Sequence, residues 1–439
     1  MIRMYERSVV TFAVVTRAWV TLVAVLTACI LTPYDTSSHL QADGSLLAAL
    51  SNWDGVYFSH IALHGYDFEH FHAFFPLYPL LMRWIAHWLP LEDKDAVIAS
   101  GWIISNVSFV LAALFLYRLG CIVIGDEIIA RRAAYLFCVT PSSIFLSSVY
   151  SESLMCLLSF SGMYFLAKHA QTPKPRRAFC DLVYCALLFG AASATRSNGI
   201  LLSLFIAWHR VTVSPPPREM FRFFGFWMRT AALGVLAVAP QIMYFVTSMM
   251  PYCPLLVKHL GGEVSGSSEM EDRSWCAMAV PNVFAMYTFI QSEYWNVGLF
   301  RYYELNQLPN FLLAAPIIVL SVHALHGYFR GTIVPGRPRV ILQQERGKSG
   351  WRGTALTPYY AHWLFLVVNA LLVVHIQVTT RLLCACPPLF WHPASLLCDS
   401  TITRKASPVM TKYGRVIVTY FLLFTVLGSV LFPSFYPWT

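Results

Sequence analysis

Charge is what this chain has least of. Asp, Glu, Lys and Arg make up 12% of its 439 residues, where soluble domains carry about 25%. A soluble protein so poor in charge has no means of covering its surface, and no polar stretch is long enough to fold as a separate domain. The expectation is one membrane domain, residues 1–439, with elaborated loops. Metal-type cysteine spacing is missing as well. There is no CxxC, and Cys384 and Cys386, one residue apart, are poor ligand geometry. Most cysteines, Cys29, Cys138, Cys156 and Cys185 among them, fall in apolar runs, where a thiol packs as a small hydrophobe. The last residues, FPSFYPWT, hold no retrieval tetrapeptide or lipidation box. The formal charge of +9 does not point to nucleic acid, because the bases sit in short loops beside apolar runs, as orientation signals do.

What the chain does have is hydrophobic residues, 57% of the total. They recur in runs separated by polar loops, which reads as an all-α, multi-pass membrane protein of about 9–11 helices. The run Ser8–Leu31 exceeds the roughly 7–15 apolar residues of a cleaved signal, and Arg17 interrupts it. It is the expected first span. Further spans are expected near 97–117, 133–149, 151–167, 224–248, 310–327, 360–378, 383–398 and 415–435.

Basic loops mark the cytoplasmic side: Arg3 and Arg7, then Lys168–Phe179, His209–Arg222, Phe329–Gly353 and Thr403–Arg415. The segment Thr32–Phe74 has five acids and no Lys or Arg, so residues 32–96 are expected as a first loop outside the cytoplasm. Residues 251–309, with more acids than bases, form a second. Cys253 and Cys276 share that loop and are free to form a disulfide where it faces an oxidising compartment. The run Phe75–Pro90 carries Arg83 and His87. It reaches only about 24 Å as a helix, short of a roughly 30 Å hydrocarbon core, and reads as an interfacial helix. Basic loops flank both ends of Asp181–Trp208, and ATRSNG, Ala194–Gly199, breaks its middle. A broken helical hairpin with Arg196 near its tip satisfies this, with one long span as the alternative.

Four blocks carry candidate chemistry. In SNWDGVYFSHIALHGYDFEHFHAFFPLYP, Ser51–Pro79, Asp54 follows Trp53 in an aromatic setting that excludes water and raises carboxylate basicity, as proton abstraction from a hydroxyl requires. Asp35 and Asp43 read as solvated acids. His60 and His64 share a helix face, but no HExxH is present and Glu69-His70 has no matching partner. Hydrogen bonding to substrate, or packing, suits these histidines better than a metal. Arg196 and Asn198 form the second block, an arginine in an apolar segment being a functional candidate by default, with a helix-joining ion pair as the alternative. The third, Gln291–Phe311, sets Trp295, Asn296 and Arg301 among aromatics and amides suited to sugar rings and hydroxyls. In the fourth, Gln377 and Arg381 are spaced to share one face, with Arg381 a candidate phosphate clamp. The expected topology puts all four blocks on one side. On these residues alone a transporter with broken helices fits as well as a membrane enzyme, and a non-catalytic subunit is a third option. Location favours the enzyme, because the ionisable residues cluster in loops and span ends.

Together WDGVYFSHIALHGYDFEHFHAFFPLYP, ATRSNG, YWNVGLFRYYELNQLPNFLLAAP and HIQVTTRLL resemble the GPI mannosyltransferase 2 family, in order from residue 52 to about 395. The polar stretch Val264–Arg273 matches nothing in that pattern. The resemblance implies a GT-C glycosyltransferase fold whose first lumenal loop carries interfacial helices. It implies an inverting α-1,6-mannosyltransferase that adds the second mannose of the GPI precursor at the lumenal face of the endoplasmic reticulum. The donor would be dolichyl-phosphate mannose, with no cofactor or metal. Asp54 matches the family's base. Trp53, His60, His64, Glu69, His70, Arg196, Asn198, Trp295, Asn296, Arg301, Gln377 and Arg381 are the candidate substrate contacts. A small membrane subunit is left open as a partner.

Overall fold

The computed structural model describes residues 2–34, 46–253, 274–276, 282, 284–331, 355–397 and 410–438. Asp35, Asp43 and the stretch 264–273 lie outside the described residues, as do most of the basic loops at 329–353 and 403–415. The described chain is helical. Among its residues five helices are long and apolar enough to cross a membrane: α1 (Ile2–Ile30), α4 (Asp93–Val123), α9 (Met220–Met249), α11 (Leu308–Phe329) and α15 (Lys412–Leu431). Shorter helices pack among them: α5 (Glu127–Cys138), α6 (Glu152–Gln171), α7 (Pro175–Ser193), α8 (Ser203–Thr212), α10 (Ala285–Glu293), α12 (Thr357–Leu372), α13 (Thr379–Leu383) and α14 (Pro388–Leu396). α4 is apolar all round and lies at the centre, against α1, α5 and α6.

Two expected spans differ. The run 133–149 is not one helix: α5 stops at Cys138, and 139–151 runs on without regular structure, buried throughout except Val139. Irregular backbone at membrane depth survives only where protein satisfies it. Arg17 does much of that here. Its guanidinium donates to the carbonyls of Ser143 (2.7 Å) and Cys138 (3.0 Å) and stacks on Phe109 at 3.9 Å. Asn106 donates to the Ser147 carbonyl, Ser105 to that of Tyr150, and Thr425 to those of Val139 and Thr140. Pro141 begins this segment's turns, and its far end carries Tyr150 and Ser151 to the start of α6. The run 383–398 is likewise not one helix: α13 ends at Leu383, residues 384–387 are turn, and α14 begins at Pro388.

The region 46–90 folds as short helices against α4: a 3-10 turn Leu46–Leu50, α2 (Asp54–Leu63), a 3-10 turn Glu69–Ala73 and α3 (Leu77–Ala86). α3 buries Tyr78, Pro79 and Met82 and exposes Leu80 and Trp84, the two-sided pattern of an interfacial helix. Arg83 caps α2 by donating to the carbonyls of Ala62 (2.6 Å) and Ile61 (3.3 Å). Residues 175–212 turn back on themselves. Gly199 presses on the Ala192 carbonyl where a Cβ has no room. α8 returns to the far end of α6, where the His169 and His209 rings lie 5.1 Å apart. Arg196 stands at the tip.

Candidate functional site

The segment Ser51–Asp54 is pinned before it becomes helix. The Asn52 amide, 1% exposed, donates to the carbonyls of Phe432 (3.1 Å) and Pro433 (2.8 Å) at the end of α15. The Tyr150 hydroxyl donates to the Asn52 carbonyl (3.3 Å) and accepts from the Asp54 N–H (3.0 Å). Between them Trp53 is held at φ 57°, a strained value for a bulky residue and one that persists where surroundings over-determine it. Asp54 is then the first residue of α2, where the positive end of the helix favours a carboxylate by about 0.3–1 kcal/mol.

From Asp54 a chain of charges runs inward. Arg381 Nη2 donates to Asp54 Oδ2 at 2.5 Å, and its Nε donates to Glu152 Oε1 at 2.7 Å. Arg196 Nη1 is ion-paired with the same Glu152 oxygen at 2.7 Å and donates to Ser151 Oγ at 3.2 Å. Two carboxylates and two guanidiniums thus sit together, drawn from α2, α6, the hairpin tip and α13. The Arg381 guanidinium lies over Phe145 (4.9 Å) and Tyr150 (4.8 Å). Glu152 is 1% exposed, Arg381 12%, Arg196 23% and Asp54 29%. The cluster therefore opens at Asp54 and Arg196 and closes over Glu152. Asp54 Oδ1 makes no hydrogen bond among the described residues.

This corrects one expectation. The group beside the Asp54 carboxylate is a guanidinium, not an apolar ring; Trp53 turns instead to Phe435, 5.7 Å away. An aromatic wall does stand one turn along α2. Tyr57 stacks on Phe74 (4.7 Å) and meets Trp295 edge-on (5.6 Å). Burial and the nearby Asp54 charge push the Tyr57 hydroxyl up from its ordinary range.

The histidines are spent on local partners. His60 pairs with Asp67 (3.0 Å) and lies 4.8 Å from the His64 ring. His70 stacks on Phe68 and meets Tyr57 edge-on, and burial lowers its pKa. His72 stacks on Tyr66 at 4.6 Å, and burial brings it down to about 4. Glu69 is buried and accepts from the Tyr294 hydroxyl at 3.0 Å, which ties the first loop to the third block.

Asp54, Arg196 and Arg381 meet; other candidates do not join them. Gln377 and Arg381 reach different partners, Gln377 from the 3-10 turn Ile376–Val378 and Arg381 from α13. Gln377 accepts from the Tyr302 hydroxyl (3.0 Å), which also accepts from the Asn310 amide. Arg301 is exposed and donates to the Ser292 carbonyl of its own loop. Asn296 takes a turn position at φ 49°. Asn198 is half-buried and makes no hydrogen bond among the described residues. Sequence reasoning missed Glu152, which joins the two arginines. Its signal was present: it is the sole acid between Glu127 and Asp181, at the start of an apolar run.

A family model described as Mannosyltransferase (PIG-V) matches residues 6–439. The GPI alpha-1,6-mannosyltransferase 2 of Cricetulus griseus is 32% identical, over 90% of this chain and 88% of that protein. The protein of the same name from Homo sapiens is 31% identical over the same shares. The GPI mannosyltransferase 2 of Chaetomium globosum is 30% identical over 92% and 90%. Among solved structures, the Archaeoglobus fulgidus oligosaccharyltransferase tethered to an acceptor peptide superposes with a TM-score of 0.49 at 12% identity. That superposition covers 94% of this chain and 55% of that one, a likeness too loose to carry an argument.

Proposed function

Because the chain belongs to the PIG-V mannosyltransferase family, we propose that Asp54 is the base of its mannosyl transfer. The enzyme is a GPI-anchor α-1,6-mannosyltransferase embedded in a membrane, acting on a lipid-linked donor and a glycolipid acceptor. The observation that carries the reading is the linkage of Asp54, Arg381, Glu152 and Arg196 from four remote segments.

Asp54 Oδ1 takes the proton of the acceptor's attacking hydroxyl. The oxygen forms a bond to C1 of the donor mannose from the face opposite the phosphate, and the C1–O bond breaks with its electron pair passing to the phosphate. The anomeric centre inverts. Arg196, the more exposed guanidinium, receives the departing lipid phosphate, with Ser151 and Glu152 setting its direction. Arg381 fixes the Asp54 carboxylate. The wall of Tyr57, Phe74 and Trp295 offers ring faces to a sugar. In this reading guanidinium, not a metal or cofactor, meets the phosphate of dolichyl-phosphate mannose, and the fold is of the GT-C kind. The transporter alternative gains no support.

The site lies at the lumenal face of the endoplasmic reticulum in this proposal. The Cys253–Cys276 disulfide supports that side, since disulfides persist in oxidising compartments. Tyr252, next to Cys253, meets His72 edge-on at the site end. Expressing the chain in cells lacking the second mannosyl step tests the function. Conversion of the accumulated single-mannose intermediate is the expected result; its persistence despite good expression counts against the reading.

A further inference from the structure

The end of the hairpin remote from Arg196 holds a second cluster of arginines that the transfer does not use. Arg210, Arg222 and Arg229 line a cavity of about 450 Å³ between the end of α8 and the start of α9, with Phe221 and Phe226. No carboxylate lines it. Arg222 is paired with Glu219 at 2.8 Å, whereas Arg229 is exposed and has no ion-pair partner among the described residues. Arg210 is 9% exposed, stacks on Phe226 at 3.5 Å and donates to Thr230 Oγ1 at 2.9 Å. Thr230 also lines a second cavity of about 540 Å³, bounded by Ile206, Ala207, Gly234, Val238 and Ile242. That groove is almost wholly apolar and runs along α8 and α9 within the span. Gly225 lines the first cavity and Gly234 the second, and a Cβ at either meets nothing.

A basic cleft beside an apolar groove, with Arg210 of the one bonded to Thr230 of the other, matches one chemistry, an anionic head joined to a hydrocarbon chain. We propose that this end of the hairpin binds an anionic phospholipid, its phosphate between Arg210 and Arg229 and an acyl chain along α8 and α9. It is not the reacting lipid's phosphate. Thr230 and Gln241, whose amide donates to the Ser197 carbonyl at the tip, are eleven residues apart on α9, a rise of about 16 Å. A phosphate in the cleft is out of reach of Arg196.

The test uses the full chain, purified after exposure to mixed phosphatidylcholine and phosphatidylserine vesicles, with bound lipid quantified by mass spectrometry. Phosphatidylserine is expected above its mole fraction. Arg229→Glu should cut that retention about tenfold, equivalent to about 1.4 kcal/mol. Gly234→Leu fills open groove space with a better helix former and should lower retention with every arginine in place. Inorganic phosphate should not displace the lipid. Retention at the mole fraction, or unchanged in both variants with normal size-exclusion profiles, overturns the proposal. Full displacement by phosphate overturns the acyl-chain half of it and leaves an adventitious anion site.

Discussion

The two ends of the 175–212 hairpin use arginine in opposite ways. At the tip, Arg196 shares Glu152 with Arg381, and Arg381 also holds Asp54. At the other end Arg210 and Arg229 face a cleft without a carboxylate lining it. An arginine deep in an apolar fold is costly unless paired. Where pairing is complete, as at Arg381 with two carboxylates, the guanidinium becomes a fixed strut that aims a carboxylate. Where it is partial, as at Arg196, or absent, as at Arg229, positive charge is left for an anion from outside.

The largest effect that would break this contrast is at Glu152. Glu152→Ala leaves two guanidiniums facing each other in a buried site, and should cost about 3–5 kcal/mol of stability together with transfer. A lowered thermal unfolding midpoint in detergent reads this, and an unchanged midpoint would show that the tip does not depend on pairing. Arg196→Ala comes next. It removes the proposed phosphate contact from a partly exposed position, so kcat should fall about 10²–10³-fold, while stability falls by less than in Glu152→Ala because Glu152 keeps Arg381. Microsomal transfer rates against unfolding midpoints separate the two.

The smallest effect concerns His72, beside the site. Burial holds its imidazole near 4 instead of 6.5, so the unfolded chain takes up a proton that the folded one refuses. Its contribution to stability is complete above about pH 6.5 and is lost as pH falls towards 4. His72→Phe keeps a ring on Tyr66 and should shrink that acid loss by on the order of 1–3 kcal/mol, measured as the unfolding midpoint against pH. An unaltered acid limb would place the effect elsewhere.

Much of this was legible in the sequence where the signal was local. Asp54, Arg196 and Arg381 stand out as ionisable residues in apolar or aromatic surroundings, and Phe75–Pro90 is too short to cross. Glu152 was passed over because it opens a run that reads as a span, and its partners lie 44 and 229 residues away. The irregular segment 139–151 is apolar enough to read as a span, yet Pro141 and its five serines were a local signal against helix. What holds it at depth is Arg17, whose bonds to it span more than a hundred positions and leave no trace in hydrophobic periodicity. Gln377, four residues before Arg381, bonds Tyr302 instead of the charge cluster, a partner 75 positions away that its spacing does not show.

Asp54→Asn tests the central claim most directly. The amide keeps an acceptor for Arg381 but cannot take a proton. Transfer of mannose from dolichyl-phosphate mannose to the mannosylated acceptor should be lost in microsomes, with the variant inserted and expressed as the parent is. Transfer at a near-normal rate by that variant would contradict the assignment of Asp54 as base.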